Sequence, residues 1–121
     1  MERAAVKRVE KPWGHELIWA HTDRYVGKVL HVKAGHALSL QYHEQKDEVI
    51  HVLRGRMKFF AGPSQDALEE IELSEGESFH ITPGTVHRME AVTDVDMLEA
   101  STPELTDVVR LEDRYGRPER D

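Results

Sequence analysis

The chain has 121 residues, 16 basic against 23 acidic for a formal charge of −7, with 39% hydrophobic and 32% charged residues. That length supports one domain with one core, and the acidic balance excludes nucleic acid and anionic membrane as main partners, because both reward clustered Lys and Arg. Without cysteine there are no disulfides, thiolate metal sites or thiol nucleophiles.

Along the chain, strand-like alternation is predicted over His15–Ala20, Tyr25–Lys33, Ala37–Tyr42, Glu48–Leu53, Arg56–Ala61, Leu68–Leu73, Glu77–Ile81, Arg88–Val92 and Asp96–Ser101. Turn signals separate these runs at Ala34-Gly35, Arg54-Gly55, Gly62-Pro63-Ser64, Glu75-Gly76, Pro83-Gly84 and Thr93-Asp94. Helical spacing occurs once: Leu105, Val108 and Val109 predict a short helix over Thr106–Arg114, capped by Thr106 with Asp107 in its first turn. The expected fold is all-β, a single domain over 1–121, with a sandwich or barrel over about 11–101 and a tail over 102–121. No run approaches the ~20 apolar residues of a membrane span. The opening residues MERAAVKRVEKPWG lack a secretory signal's apolar core, so a cytoplasmic protein is expected.

Strand parity then places polar groups inside. Val26, Lys28, Leu30 and Val32 share one face of their strand, and Glu48, Ile50 and Val52 share one face of theirs, opposite Val49, His51 and Leu53. Ser39, Gln41 and His43 likewise share a face. Buried polar groups need partners. Gln41, His43 and Glu48 lie close in sequence, and His87 follows a Pro-Gly turn. Together they offer two nitrogens and two oxygens of the type that hold a divalent Zn, Mn, Fe, Co or Ni ion. The alternative is a satisfied polar cluster in a metal-free barrel. His51 is expected outside, His15, His21, His31 and His36 are ordinary surface or strand residues, and Trp13-Gly14 is read as a packing anchor.

The spacing Gly35, Gln41-Tyr42-His43, Glu48, Gly55 resembles the first cupin motif, and Gly76, Gly84, His87 resembles the second. Thr82 and Ala91 stand where that motif usually has proline and asparagine. The likeness narrows to the cupin domain of type II mannose-6-phosphate isomerases through Lys11-Pro12-Trp13-Gly14, Leu38 to His43, His87-Arg88-Met89-Glu90, and the tail from Asp107 to Arg117. It covers nearly the whole chain and implies a jelly-roll double-stranded β-helix with Gln41, His43, Glu48 and His87 around one metal, zinc foremost. The relatives carry a nucleotidyltransferase domain ahead of the cupin, and these 121 residues hold no Gly-rich phosphate loop for one. Two stretches depart from the pattern. Glu44-Gln45-Lys46 replaces two histidines and an arginine, and Val49-Ile50 replaces a histidine and a tryptophan. Lys46 keeps the charge of arginine but not its planar fork.

The resemblance implies an aldose–ketose isomerase acting on mannose 6-phosphate and fructose 6-phosphate. Lys28, Glu48 and Arg88 are the expected catalytic residues, with His80 and Glu90 as further acid/base candidates. Lys28, Lys46, Arg88, Arg110 and Arg117 are the expected substrate contacts. Two other readings stand beside it: a carbohydrate-binding or sensing module that keeps the metal without turnover, and a different metal-cupin enzyme. A small sugar phosphate is the expected partner, and a homodimer is expected by analogy with small cupins.

Overall fold

The computed structural model describes residues 1–121 and contains eleven strands and no helix. They are β1 (Lys7–Lys11), β2 (Gly14–His21), β3 (Val26–Val32), β4 (Leu40–Tyr42), β5 (Glu48–Arg54), β6 (Met57–Gly62), β7 (Glu69–Leu73), β8 (Ser78–Ile81), β9 (Val86–Ala91), β10 (Val95–Ser101) and β11 (Val109–Glu112). They form two antiparallel sheets, six strands in the order β1-β2-β3-β10-β5-β8 and five in the order β11-β4-β9-β6-β7. Leu30, Val32, Ile50, Val52 and Met97 from the first sheet and Met57, Phe59, Leu73 and Met89 from the second form one shared core. Alternation drives this: each inner face takes every second residue, and burying those faces against each other removes the apolar side chains from water.

Three expectations are corrected. The segment after Ser101 forms no helix. Val109 and Arg110 instead pair with Tyr42 and Gln41, making β11 the edge strand of the second sheet. A nine-residue helix with adjacent β-branched valines is marginal on its own, whereas strand pairing lets Val109 bury to 1% exposure. Ala37–Tyr42 is not one strand: Ala37 makes an isolated bridge to Glu90, and β4 begins at Leu40. Strand β1 was not expected, because its residues KRVEK have no apolar alternation to read.

Trp13 is buried, as expected of an anchor. Gly14 beside it has φ +153°, and a Cβ there would lie 1.9 Å from the His31 carbonyl oxygen, so only glycine fits this close crossing of β2 and β3.

Candidate metal centre and its cavity

The inner faces of both sheets converge on one polar cavity of about 90 Å³. Its lining includes Glu16, Lys28, Gln41, His43, Lys46, Glu48 and Glu99. Register explains the convergence. Arg110 on β11 pairs with Gln41 on β4, and Gln41 pairs with His87 on β9, so three polar side chains form one row across the second sheet. In the first sheet, Lys28 on β3 stands directly opposite Glu99 on β10.

His43, Glu48 and His87 are all buried, and their ligating atoms lie within 4.8 Å of one another. His43 Nε2 is 3.6 Å from Glu48 Oε2, and His87 Nε2 is 3.9 Å from Glu48 Oε1. Each imidazole has its other nitrogen committed to a backbone carbonyl. His43 Nδ1–H donates to Asp107, and His87 Nδ1–H donates to Thr85 at 2.9 Å. A carbonyl only accepts, so both rings keep a lone pair on Nε2, directed toward Glu48; such backbone contacts fix the tautomer of metal-binding histidines. Burial lowers the pKa of both rings, keeping them neutral at pH 7. His87 Nε2 is buried with no hydrogen-bond partner. Two neutral imidazoles, one carboxylate and an orphaned buried acceptor on His87 suit a divalent cation. Gln41 stands beside them, with Oε1 accepting from Ser39 Oγ at 2.9 Å. The Pro83-Gly84 turn supports the same spot, where Gly84 N–H donates to the His43 carbonyl at 2.7 Å.

A second layer of charge surrounds the triad. Lys46 Nζ is ion-paired with Glu48 Oε2 at 2.9 Å and Glu99 Oε2 at 3.0 Å. Burial opposes its charge, but Glu99 and then Glu48 outweigh that and raise its pKa. Burial, and then the charge of Glu99, pushes Glu48 up. Burial also opposes the charge on Glu99, yet Lys46 and Lys28 hold it below the usual carboxylate range. Lys28 faces inward as its parity implied, 3.4 Å from Glu16 Oε1.

Other expected site residues stand elsewhere. Arg88 neighbours His87 on β9 and therefore points to the opposite face, where Nε donates to the Leu38 carbonyl and Nη1 pairs with Glu112. Lys46 is engaged by two carboxylates rather than offered to a ligand. Arg117 lines the cavity, but Asp113 holds its guanidinium through Nε and Nη2 at 3.0 and 2.9 Å. His80 pairs with Asp47 on the surface, Glu90 pairs with Arg114, and His51 contacts Ser78 on the outer face. Ile50, at the position of the expected aromatic, is fully buried in the core. Glu16 and Glu99 were not singled out from sequence, and Asp107 was read only as a helix first-turn residue and the start of the tail motif. Met97, Glu99 and Ser101 share a strand face, which is the signal that marks Glu99.

A family model described as mannose-6-phosphate isomerase C-terminal matches residues 1–113. Among curated proteins, the chain is 34% identical over 121 residues to a mannose-1-phosphate guanylyltransferase of Escherichia coli, covering 96% of this chain and 24% of that protein. The chain thus spans about a quarter of the length of the curated relatives it matches. Among solved structures it is similar to the capsular polysaccharide assembling protein CapF of Staphylococcus aureus (TM-score 0.74, 23% identity, 90% of this chain and 35% of that one). It is also similar to Bacillus subtilis oxalate decarboxylase, a protein described with Mn(II) centres (TM-score 0.74, 16% identity, 87% and 30%). These likenesses agree with the two-sheet cupin architecture.

Proposed function

The chain belongs to the mannose-6-phosphate isomerase C-terminal family, and from that premise we propose that it holds one divalent cation on His43, Glu48 and His87, with Gln41 beside them, and interconverts mannose 6-phosphate and fructose 6-phosphate. The observation that carries this reading is the pair of buried imidazoles, each tied through Nδ1 to a carbonyl and each presenting Nε2 toward Glu48. Zinc is the first candidate, with Mn, Co, Ni and Fe as alternatives for the same donor set. A divalent cation there would supply positive charge opposite the sugar oxygens, which become negative during aldose–ketose interconversion.

The remaining work falls to Lys28 and Glu16. Their contact at 3.4 Å gives the ammonium proton a carboxylate to move to. The freed amine would take the proton from C2 of the aldose and return it to C1, while a second proton passes from O2 to O1. With Lys46 engaged and Arg88 on the far face, the substrate phosphate falls to Arg110, which lines the cavity together with Lys11 and Arg117.

A second reading, a carbohydrate-binding module without turnover, is favoured by one observation. Arg88, one of the expected catalytic residues, points to the opposite face, where Leu38 and Glu112 hold its guanidinium.

Proton NMR in D2O decides between them. Protein loaded in turn with Zn, Mn, Co or Ni is incubated with mannose 6-phosphate, with the Gln41→Ala, His43→Ala double variant as background. Metal-dependent fructose 6-phosphate and deuterium at C2, both lost in Lys28→Met, are the expected result. Metal-loaded protein that gives no exchange would overturn the isomerase reading in favour of the binding module. A homodimer is proposed as well, with exposed Trp19, Val49 and Leu53 of the six-stranded sheet available for contact; light scattering that gives a single-chain mass would refute it.

A further inference from the structure

Arg110 is a buried guanidinium, its side chain 6% exposed, with both terminal nitrogens facing one carboxylate. Nη1 donates to Asp121 Oδ1 at 2.5 Å and Nη2 to Oδ2 at 3.1 Å. The backbone leading to Asp121 is held by the same residue: Arg110 N–H donates to the Glu119 carbonyl at 2.7 Å, and Nη1 also donates to the Pro118 carbonyl at 3.1 Å. Residues 118–121 thus form a strap fastened mainly to one residue, with one further tie from Arg120 to Glu44. Asp121 itself lines the cavity together with Lys11, Arg110 and Arg117. Its side chain remains 45% exposed, so the strap meets solvent on one side and the cavity on the other. Arg110 Nε is buried without a partner, a donor that the Asp121 carboxylate leaves unused.

We propose that Asp121 is a resident competitor on an anion site centred on Arg110, and that a phosphate dianion enters by displacing the 118–121 strap. The proposal rests on the isomerase reading only in taking a phosphate as the ligand. A tethered carboxylate acts at an effective concentration on the order of millimolar. A free carboxylate would replace it like for like and gain nothing. A phosphate dianion brings a second negative charge toward Lys11 and Arg117, and a third oxygen for the unused Nε donor. The strap therefore makes the site discriminate by charge, admitting dianions and refusing monoanions.

The test is NMR titration of the Arg110 guanidinium signals with inorganic phosphate and with acetate, at pH 7.5 and matched ionic strength, in the parent chain, Asp121→Asn and Glu119→Gln. Glu119 is an exposed neighbour, so Glu119→Gln removes the same charge without touching the Arg110 fork. The expected result is weak phosphate binding and no acetate binding in the parent. Asp121→Asn should bind phosphate at least tenfold tighter and acquire acetate binding, while Glu119→Gln stays within twofold of the parent. Adding Arg110→Met to Asp121→Asn should abolish both. Asp121→Asn that binds phosphate no tighter than Glu119→Gln, or more weakly than the parent, overturns the proposal. The readout needs neither metal nor turnover, so a failed isomerase assay leaves it standing. Its own failure would leave the isomerase reading in need of a different phosphate contact.

Discussion

Lys46 Nζ stands 2.9 Å from Glu48 Oε2, the same oxygen that His43 Nε2 faces at 3.6 Å. A tethered ammonium thus shares a carboxylate with the candidate metal site, and a second carboxylate, Glu99, holds it from the other side. Inside this barrel three buried acids (Glu16, Glu48 and Glu99) face two buried lysines, because the third buried cation, Arg110, is paired with Asp121. A divalent cation on Glu48 would supply the charge that this balance lacks.

Removing the ammonium should therefore cost stability. Lys46→Met removes the cation that Glu48 and Glu99 share, and breaking a buried pair from one side costs about 3–5 kcal/mol. Urea unfolding should show that loss, and adding Glu99→Gln should recover part of it. Lys46→Met as stable as the parent in EDTA would show that the pair contributes nothing.

Ser39 orients Gln41 through the hydrogen bond to its Oε1. If Gln41 belongs to the metal centre, Ser39→Ala should weaken metal affinity roughly 10-fold or more, as loss of such supporting contacts does. Calorimetric zinc titration reads this directly. Unchanged affinity in both Ser39→Ala and Gln41→Ala would remove Gln41 from the donor set.

Acid should destabilise the metal-free protein from the histidine range downward. Burial lowers the folded-state pKa of His43 and His87 below 6.5. As the pH falls through that value the unfolded chain takes up protons that the folded chain refuses. Stability is then fully present above the unfolded pKa and lost as pH falls toward the folded one. Thermal melts in EDTA between pH 8 and 5 should show Tm falling below about pH 6.5; a flat profile would refute the assignment.

Asp107 should matter more than its position on a loop suggests. Its carboxylate accepts the backbone N–H groups of Glu44, Gln45 and Lys46 at 3.0, 2.7 and 2.9 Å. Those bonds outweigh burial and hold its pKa low. Asp107→Ala should cost about 1–3 kcal/mol and speed proteolysis between His43 and Asp47. An unchanged cleavage rate would show that the loop is held by other means.

Much of this was legible because the period of a strand is two. Lys28 and Glu48 face inward, and Val49, His51 and Leu53 outward, as parity within β3 and β5 requires. Applied to β9, the same rule turns Arg88 away from the site that His87 faces, a consequence the sequence reading did not draw. Glu99 carried the right parity but no visible purpose, because its partners Lys28 and Lys46 come from distant parts of the chain. The tail was misread for a local reason. Leu105, Val108 and Val109 have helical spacing, but the β4 edge offered backbone partners that an isolated turn of helix could not match.

The His43–Asp107 contact has a consequence for anyone transplanting this centre. Asp107 lies beyond β10, yet its carbonyl fixes which nitrogen of His43 carries the proton, and its carboxylate ties down the loop that follows. A graft ending at Ser101 would keep ten strands and all three buried donors. It would leave His43 free to exchange tautomers, presenting a proton to an incoming ion in one of them. The portable unit is thus the barrel together with its returning edge strand.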